Sequence, residues 1–295
     1  MAEFKSGFIA LIGFPNAGKS TLLNRLIGRK VAIVSKKPQT TRTRICGVLT
    51  KKDYQMVFVD TPGIHKAHNR LDAYMESVVR NTMHDVDIIL YLLDAKMGIR
   101  EEEADLLKKI SKQKIPCVVV LNKIDAIDDQ RLNELFDQLN GLARPQLLSA
   151  KTGQGTDELL VLLERYLQPG PQYYPDEMLS DQPQAVFAGE LIREKALKHL
   201  GKEIPHGIGI SVERIAHETD KKLMSIDATI FCERESHKGI IIGKGGLRLK
   251  KIASEARRDM EELFSCKVYL QLWVKVKQDW RNQHSVLKIL GYCDE

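Results

Sequence analysis

The sequence predicts two folded domains of different class. The first is an α/β domain with a mostly parallel sheet and helices on both faces, and the second is a smaller α+β domain. Three observations predict this. Apolar strand-like runs alternate with helix-like stretches through the first half of the chain. A proline-rich stretch then interrupts both periods. Beyond it the order of elements changes, and one strand alternates with a period of two.

In the first domain, residues 8–12 form a short apolar run, followed by a Gly-rich turn and a helical pattern over 19–27. Residues 45–50 and 54–59 read as a hairpin around Lys51, Lys52 and Asp53. Runs at 87–93, 115–121 and 146–149 read as buried strands, with helical stretches such as 102–112 between them. The domain is placed at 1–168. Residues 169–183 read as a linker, because closely spaced prolines disfavour helix and sheet. The second domain, 184–295, reads as a helix at 185–200, strands at 207–216 and 223–232, a helix-turn-helix around Gly243, and a strand at 267–277. In that last strand Val268, Leu270, Leu272, Val274 and Val276 share one face, and Tyr269, Gln271, Trp273, Lys275 and Lys277 the other. The alternation predicts an antiparallel sheet with one covered face.

Composition narrows the class. With 43% hydrophobic and 28% charged residues the chain is too apolar to be disordered. No apolar run approaches the roughly 18 residues of a membrane span, and the start lacks a signal-peptide core. A cytoplasmic location is expected. The five cysteines (Cys46, Cys117, Cys232, Cys266 and Cys293) lack metal-ligand spacing and read as reduced thiols. The net charge is +6, and residues 184–295 carry 20 Lys and Arg against 16 Asp and Glu. This mild surplus permits a polyanionic partner without requiring one.

The turn after the first strand reads Gly13, Phe14, Pro15, Asn16, Ala17, Gly18, Lys19, Ser20, which matches the phosphate-binding loop G-x-x-x-x-G-K-[ST]. It lies where the motif needs to lie, after a strand and opening a helix that continues with Thr21. Backbone N–H groups of such a loop cradle phosphate oxygens, and the helix N-terminus adds a favourable dipole. Lys19 is expected to reach the β- and γ-phosphates and Ser20 to bind Mg²⁺. Asp60, Thr61, Pro62 and Gly63 follow the next parallel strand. Asp60 is placed to hold Mg²⁺ through water, and the Gly63 N–H to contact a γ-phosphate. Between the two motifs lies a polar loop at 36–44, in which Thr41, rather than Thr40, is expected to reach Mg²⁺ when the γ-phosphate is present. Lys19, Thr41 and Gly63 are therefore the candidate catalytic residues.

Asn122, Lys123, Ile124 and Asp125 end another buried strand. A carboxylate at Asp125 accepts from both guanine N1–H and the 2-amino group, donors that adenine lacks. Asn122 is expected at N7, the Lys123 stem over the ring, and backbone N–H groups of Ser149, Ala150 and Lys151 at O6. Each motif alone is weak; four in order at strand ends point to a guanine nucleotide.

In the second domain Ile242, Gly243, Lys244, Gly245 and Gly246 precede a helix carrying Arg248, Lys250 and Lys251. A bare G-x-x-G is expected about once by chance in a chain of this length, but the apolar turn before it and the basic helix after it resemble the KH domain. There the loop approaches the backbone of about four nucleotides. The element order fits the type II form. Trp273 and Trp280 can stack on bases, although aromatic residues near an apolar strand are more often packing.

Together the chain resembles the Era family of bacterial GTPases, on the residues 13–20, 39–42, 60–63, 122–125, 192–195 and 272–277. The resemblance covers nearly the whole chain. It implies GTP and GDP as substrate and product, Mg²⁺, binding to the 3′ region of 16S rRNA, assistance to 30S subunit assembly, and a monomer. Contact with the inner-membrane surface is a further expectation. Ile64 stands where Ras-like enzymes have a water-orienting Gln, so slow intrinsic hydrolysis is expected. The alternatives are a non-hydrolytic GTP-gated RNA clamp and a membrane-associated signalling GTPase.

Overall fold

The computed structural model describes residues 3–201, 204–218 and 222–293. The chain forms two compact units. The first comprises the chain through Ala32, then Thr41–Lys66 and Met75–Asp181; the second comprises Ile33–Thr40, Ala67–Tyr74 and the chain from Gln182.

The first unit is built on strands β1 (Lys5–Ile12), β2 (Ile45–Thr50), β3 (Tyr54–Asp60), β4 (Ile88–Asp94), β5 (Cys117–Asn122) and β6 (Gln146–Leu148), in the order β2-β3-β1-β4-β5-β6. Only β2 in that path runs antiparallel, as the hairpin partner of β3. Helices α1 (Lys19–Ile27), α3 (Glu101–Ile110), α4 (Asp129–Leu139) and α5 (Thr156–Glu164) connect the strands, and α2 (Arg70–His84) begins in the second unit's segment. Ile88 through Leu93 in β4 are fully buried, as a central parallel strand covered on both faces requires. Because the strands run parallel, Ile12, Asp60, Asp94, Asn122 and Leu148 all arrive at one edge of the sheet. Ligands of open parallel sheets bind at that edge.

The segment 169–183 is not a free tether. Gln168–Pro169 forms a two-residue strand, β7, antiparallel to β1. The fully buried Gln55 side chain accepts from the Tyr173 and Tyr174 N–H groups at 2.9 and 3.0 Å and donates to Tyr174 O at 2.8 Å. Tyr173 packs on Phe8 with ring centroids 4.9 Å apart. Further on, Val48 N donates to Leu179 O at 2.9 Å and Ser180 Oγ to Cys46 O at 2.6 Å.

The second unit follows the order α6 (Gln184–His199), β8 (Gly209–Glu218), β9 (Leu223–Cys232), α7 (Glu235–Ile242), α8 (Leu247–Phe264), β10 (Lys267–Val276) and α9 (His284–Ile289). The sheet order is β10-β9-β8. Helix α8 buries Ile252, Ala256 and Met260, four residues apart, against the sheet. Here the structure corrects the sequence expectation. β10 alternates buried and exposed residues, but it pairs with β9 in parallel, so the sheet is mixed rather than antiparallel. The reason is the connection: β9 reaches β10 through α7 and α8, a helical crossover of the kind parallel neighbours need. Period-two alternation reports one covered face and is blind to strand direction. Trp280 is fully buried and donates its indole N–H to Gly207 O at 2.9 Å, so it is a packing residue with Leu71, Val286, Leu287 and Tyr292. Trp273 remains 44% exposed.

Candidate functional site

Residues 13–20 leave β1 and turn into α1. Gly18 is the left-handed N-cap of that helix, at φ 100°. A Cβ on Gly18 would lie 2.2 Å from Asn122 Nδ2, so close contact as well as conformation excludes a side chain. Asn122 braces the loops around it. Its Nδ2 donates to Ala17 O at 2.8 Å, and its Oδ1 accepts from the N–H groups of Lys123 at 2.8 Å and Ala150 at 2.9 Å. One side chain thus ties together the loops at the ends of β1, β5 and β6. The amide nitrogen keeps a second hydrogen for N7 of a base.

Lys19 is buried, and its Nζ donates to Gly13 O at 2.8 Å and Phe14 O at 3.2 Å. Burial lowers its pKa to about 8, opposed by the Asp60 carboxylate. Asp60 is buried too, and burial raises its pKa against the pull of Lys19 and of donors from Ser20, Thr41 and Thr61. Ser20 Oγ donates to Asp60 Oδ2 at 2.6 Å and Thr41 Oγ1 to the same oxygen at 3.1 Å, with the two hydroxyls 3.0 Å apart. The three expected Mg²⁺ residues therefore converge. Thr40 turns elsewhere, donating to Lys37 O at 2.6 Å. Thr61 Oγ1 donates to Leu11 O at 2.8 Å, Pro62 is buried, and Gly63 lies against Pro15, with the position of a Cβ 2.7 Å from Pro15 N. Asn16 is exposed at the loop tip with φ 65°, and Thr21 is half-buried in the first turn of α1.

At the base end, Lys123 Nζ bridges Asn16 O at 2.6 Å and Asp94 Oδ2 at 2.5 Å, which lays its stem across the gap between the phosphate loop and β4. Asp125 Oδ1 accepts from Ser149 Oγ at 2.6 Å, and Lys151 Nζ lies 3.8 Å from Oδ2. One expectation narrows. Ser149 N–H donates to Gln154 O within the turn and Ala150 N–H to the Asn122 side-chain Oδ1, both at 2.9 Å. Of the three N–H groups assigned to O6, that leaves the one of Lys151.

The second loop is different. Gly243 caps α7 with φ 74°, a 3-10 turn spans Lys244–Gly246, and Gly246 is the left-handed N-cap of α8. Lys244, Gly245, Lys250 and Lys251 are exposed, Ile242 is half-buried, and Ile240 and Leu247 expose 43% and 69% of their surface beside the loop. Arg248 is turned back: its Nη1 donates to Ile240 O at the end of α7. It steadies the loop as well as adding charge to it, because an unsatisfied helix-end carbonyl is within its reach.

Residues 8–123 match the family described as 50S ribosome-binding GTPase, and residues 203–281 match the KH domain. The chain is 47% identical over 292 residues to GTPase Era of Alkaliphilus oremlandii (strain OhILAs), covering 98% of this chain and 99% of that one. To GTPase Era of Clostridioides difficile (strain 630) it is 44% identical over 298 residues, covering 99% and 100%. The chain belongs to the GTPase Era family. Two solved Era structures superpose with a TM-score of 0.94 at 36% identity, each covering 99% of this chain and 100% of the other. One is Era in complex with MgGDPNP and nucleotides 1506-1542 of 16S ribosomal RNA; the other is a point variant of Aquifex aeolicus Era bound to GDP.AlF4-. The fold is the P-loop GTPase domain of Era followed by its type II KH domain.

Three residues at the nucleotide edge escaped sequence reading. Asp94 anchors Lys123. Arg25 on α1 donates to Ala150 O at 3.2 Å and Lys151 O at 2.6 Å. Arg100 places its guanidinium 5.3 Å from the Phe14 ring centre. Asp94 had a signal, since it ends an apolar run just as Asp60 and Asn122 do. The two arginines had none, because their partners are remote in sequence.

Proposed function

We propose that the chain binds Mg²⁺ and GTP at the C-terminal edge of the first sheet, hydrolyses GTP slowly, and binds the 3′ region of small-subunit rRNA at the Gly243–Gly246 loop to assist 30S assembly. It works as a monomer in the cytoplasm. Among the described residues no helix is long and apolar enough to cross a membrane. The observation that carries the reading is the convergence of Ser20, Thr41 and Asp60. Asp60 Oδ1 is buried without a hydrogen-bond partner, while Oδ2 takes both hydroxyls. A buried orphan carboxylate oxygen beside two hydroxyl oxygens suits a hard, water-carrying cation.

Ser20 and Thr41 would hold Mg²⁺ directly and Asp60 through water. Bound there, the ion would supply positive charge to offset that on the β- and γ-phosphate oxygens. Lys19 exchanges its carbonyl partners for phosphate oxygens, and phosphate charge restores the ammonium form that burial disfavours. Backbone N–H groups of the 13–20 loop, Pro15 apart, cradle the phosphates, and the Gly63 N–H faces the γ-phosphate. Asp125 reads guanine, Asn122 reaches N7 and Lys151 N–H reaches O6. Ile64 packs its side chain into the apolar cluster of the first sheet and has no group to orient water. Hydrolysis therefore rests on charge stabilisation and on Thr41 being in place. The solved relative bound to nucleotides 1506-1542 of 16S ribosomal RNA supports the choice of RNA.

The test is specificity. Asp125→Asn should weaken GTP binding and move preference toward xanthine nucleotides, because an amide donates where the carboxylate accepted. Single-turnover hydrolysis of GTP and XTP by parent and variant measures it. Unchanged GTP affinity with no gain for XTP would overturn the base-reading assignment.

A further inference from the structure

Ile192, Arg193, Glu194 and Lys195 on α6 lie in neither the nucleotide site nor the RNA loop. Their side chains are nevertheless spent on both neighbourhoods. Arg193 is fully buried, and its guanidinium binds Glu190 through Nε at 2.9 Å and through Nη2. The same guanidinium donates from Nη1 to Gln39 O at 3.4 Å and from Nη2 to Thr40 O. Glu194 Oε1 accepts from Val34 N–H at 3.1 Å, and Oε2 accepts from Lys195 Nζ at 2.9 Å. Lys195 also pairs with Asp259 on α8, the helix whose N-terminus carries the Gly loop and its lysines. Ile192 and Ile33 belong to one apolar cluster, and Lys37 Nζ donates to Leu200 O at the end of α6.

We propose that Arg193 is a positioning residue for Thr41, and that Arg193, Glu194 and Lys195 together connect the 33–40 segment to the RNA helix α8. The inference rests on the GTP and RNA reading above. Thr41 is the residue after Thr40, so fixing the Gln39 and Thr40 carbonyls fixes where Thr41 leaves the segment. Gln39 has a left-handed backbone at φ 57°, a conformation that residues other than glycine rarely adopt. A planar fork of five donors can hold two successive carbonyls in that shape, and a lysine cannot. Gln39 Nε2 is held as well, by Asp72 Oδ1 at 2.9 Å. The backbone that leads into Thr41 is thus held by a network that ends on α8. By linkage, RNA bound at α8 and GTP that recruits Thr41 change each other's affinity by the same factor.

The test uses the full chain. Four quantities are measured with Mg²⁺: affinity for GDP, affinity for a non-hydrolysable GTP analogue, affinity for an RNA covering nucleotides 1506-1542 in each nucleotide state, and GTP turnover with and without that RNA. The parent should bind RNA at least about fivefold more tightly with the analogue than with GDP, the lower end of usual couplings. Arg193→Gln should leave GDP affinity within about twofold, weaken the analogue, and bring the RNA ratio between the two states close to unity. Arg193→Lys should fall between them. Arg193→Gln leaves the half-buried Glu190 without its cation and can fail to fold. The double variant Arg193→Met, Glu190→Met removes both charges, and it should fold and show the same loss of coupling. A folded variant of either kind with the parent's coupling overturns the inference, as does a parent that binds both ligands without coupling. A parent that binds no GTP instead overturns the function proposed above.

Discussion

Two glycine loops bind polyanions in this reading, and they use glycine for different reasons. In the phosphate loop, glycine is demanded by the protein: a Cβ would sit 2.5 Å from Leu92 O at Gly13 and 2.2 Å from Asn122 Nδ2 at Gly18. In the loop of the second unit, Gly243 is closed too, with Arg248 Cβ 2.8 Å from its Cβ position, but Gly245 and Gly246, at φ of 58° and 77°, have no atom within 4 Å of theirs. There glycine is demanded by backbone shape and by room for a ligand. The first loop is locked before its small ligand arrives. The second is exposed and rests on its own turn, as suits a ligand whose bulk lies outside the protein.

The largest effect that would break this comparison is at Gly18. Gly18→Ala should displace Asn122 from Ala17 and cost about 3 kcal/mol or more of local strain. Nucleotide affinity should fall about a hundredfold, measured by fluorescent GDP titration. Parental affinity would show that the loop relaxes freely. Next comes the RNA loop. Lys244→Asp with Gly245→Asp should lower RNA affinity at least about tenfold. Circular dichroism and RNA-free GTP turnover should stay unchanged. A smaller effect sharpens the steric contrast: Gly246→Ala meets open space, so it should cost only the left-handed penalty, about 1 kcal/mol, read by urea unfolding. A loss as large as that at Gly18 would show a hidden contact.

The smallest effect concerns α8 away from its loop. Glu255 accepts from Lys198 at 2.9 Å and pairs with His199 at 3.0 Å, and Lys198 leads in lowering its pKa to about 2. The folded value lies below the unfolded carboxylate value, so the contribution is complete above about pH 5 and fades as pH falls toward 2. Lys198 is largely exposed, which limits the pair to a few tenths of a kcal/mol. Glu255→Gln should therefore lower the urea midpoint slightly at pH 7, with the difference shrinking below pH 4.

The strands and the four nucleotide motifs were legible because each depends on local rules. Apolar runs mark buried strands, and a polar residue that ends such a run must face the sheet edge. What the sequence hid is long-range. The backbone carbonyls that Arg193 holds, those of Gln39 and Thr40, lie more than 150 positions away, and although residues 192–195 carry part of the family resemblance, nothing there shows what Arg193 touches. The direction of β10 was hidden because both pairings alternate alike. Helix α9 was missed because it is short, Pro-free and weakly periodic. The cluster of Trp280 and Leu71 also qualifies the idea that residues 184–295 have a core wholly their own, since Leu71 and Ile33 are buried in that unit. The excised segment should be less stable than the same residues in the full chain.

The strap at 169–183 has a consequence beyond joining two units. β2 is the terminal strand of the first sheet, and a terminal strand offers unpaired N–H and C=O groups to any passing chain. Here Leu179 and Ser180 occupy the Val48 N–H and the Cys46 carbonyl, and prolines at 169, 171 and 175 keep the strap from becoming a new strand to be extended. The first unit thus carries its own guard against edge-to-edge assembly, in the segment that a reader of composition would set aside as a spacer.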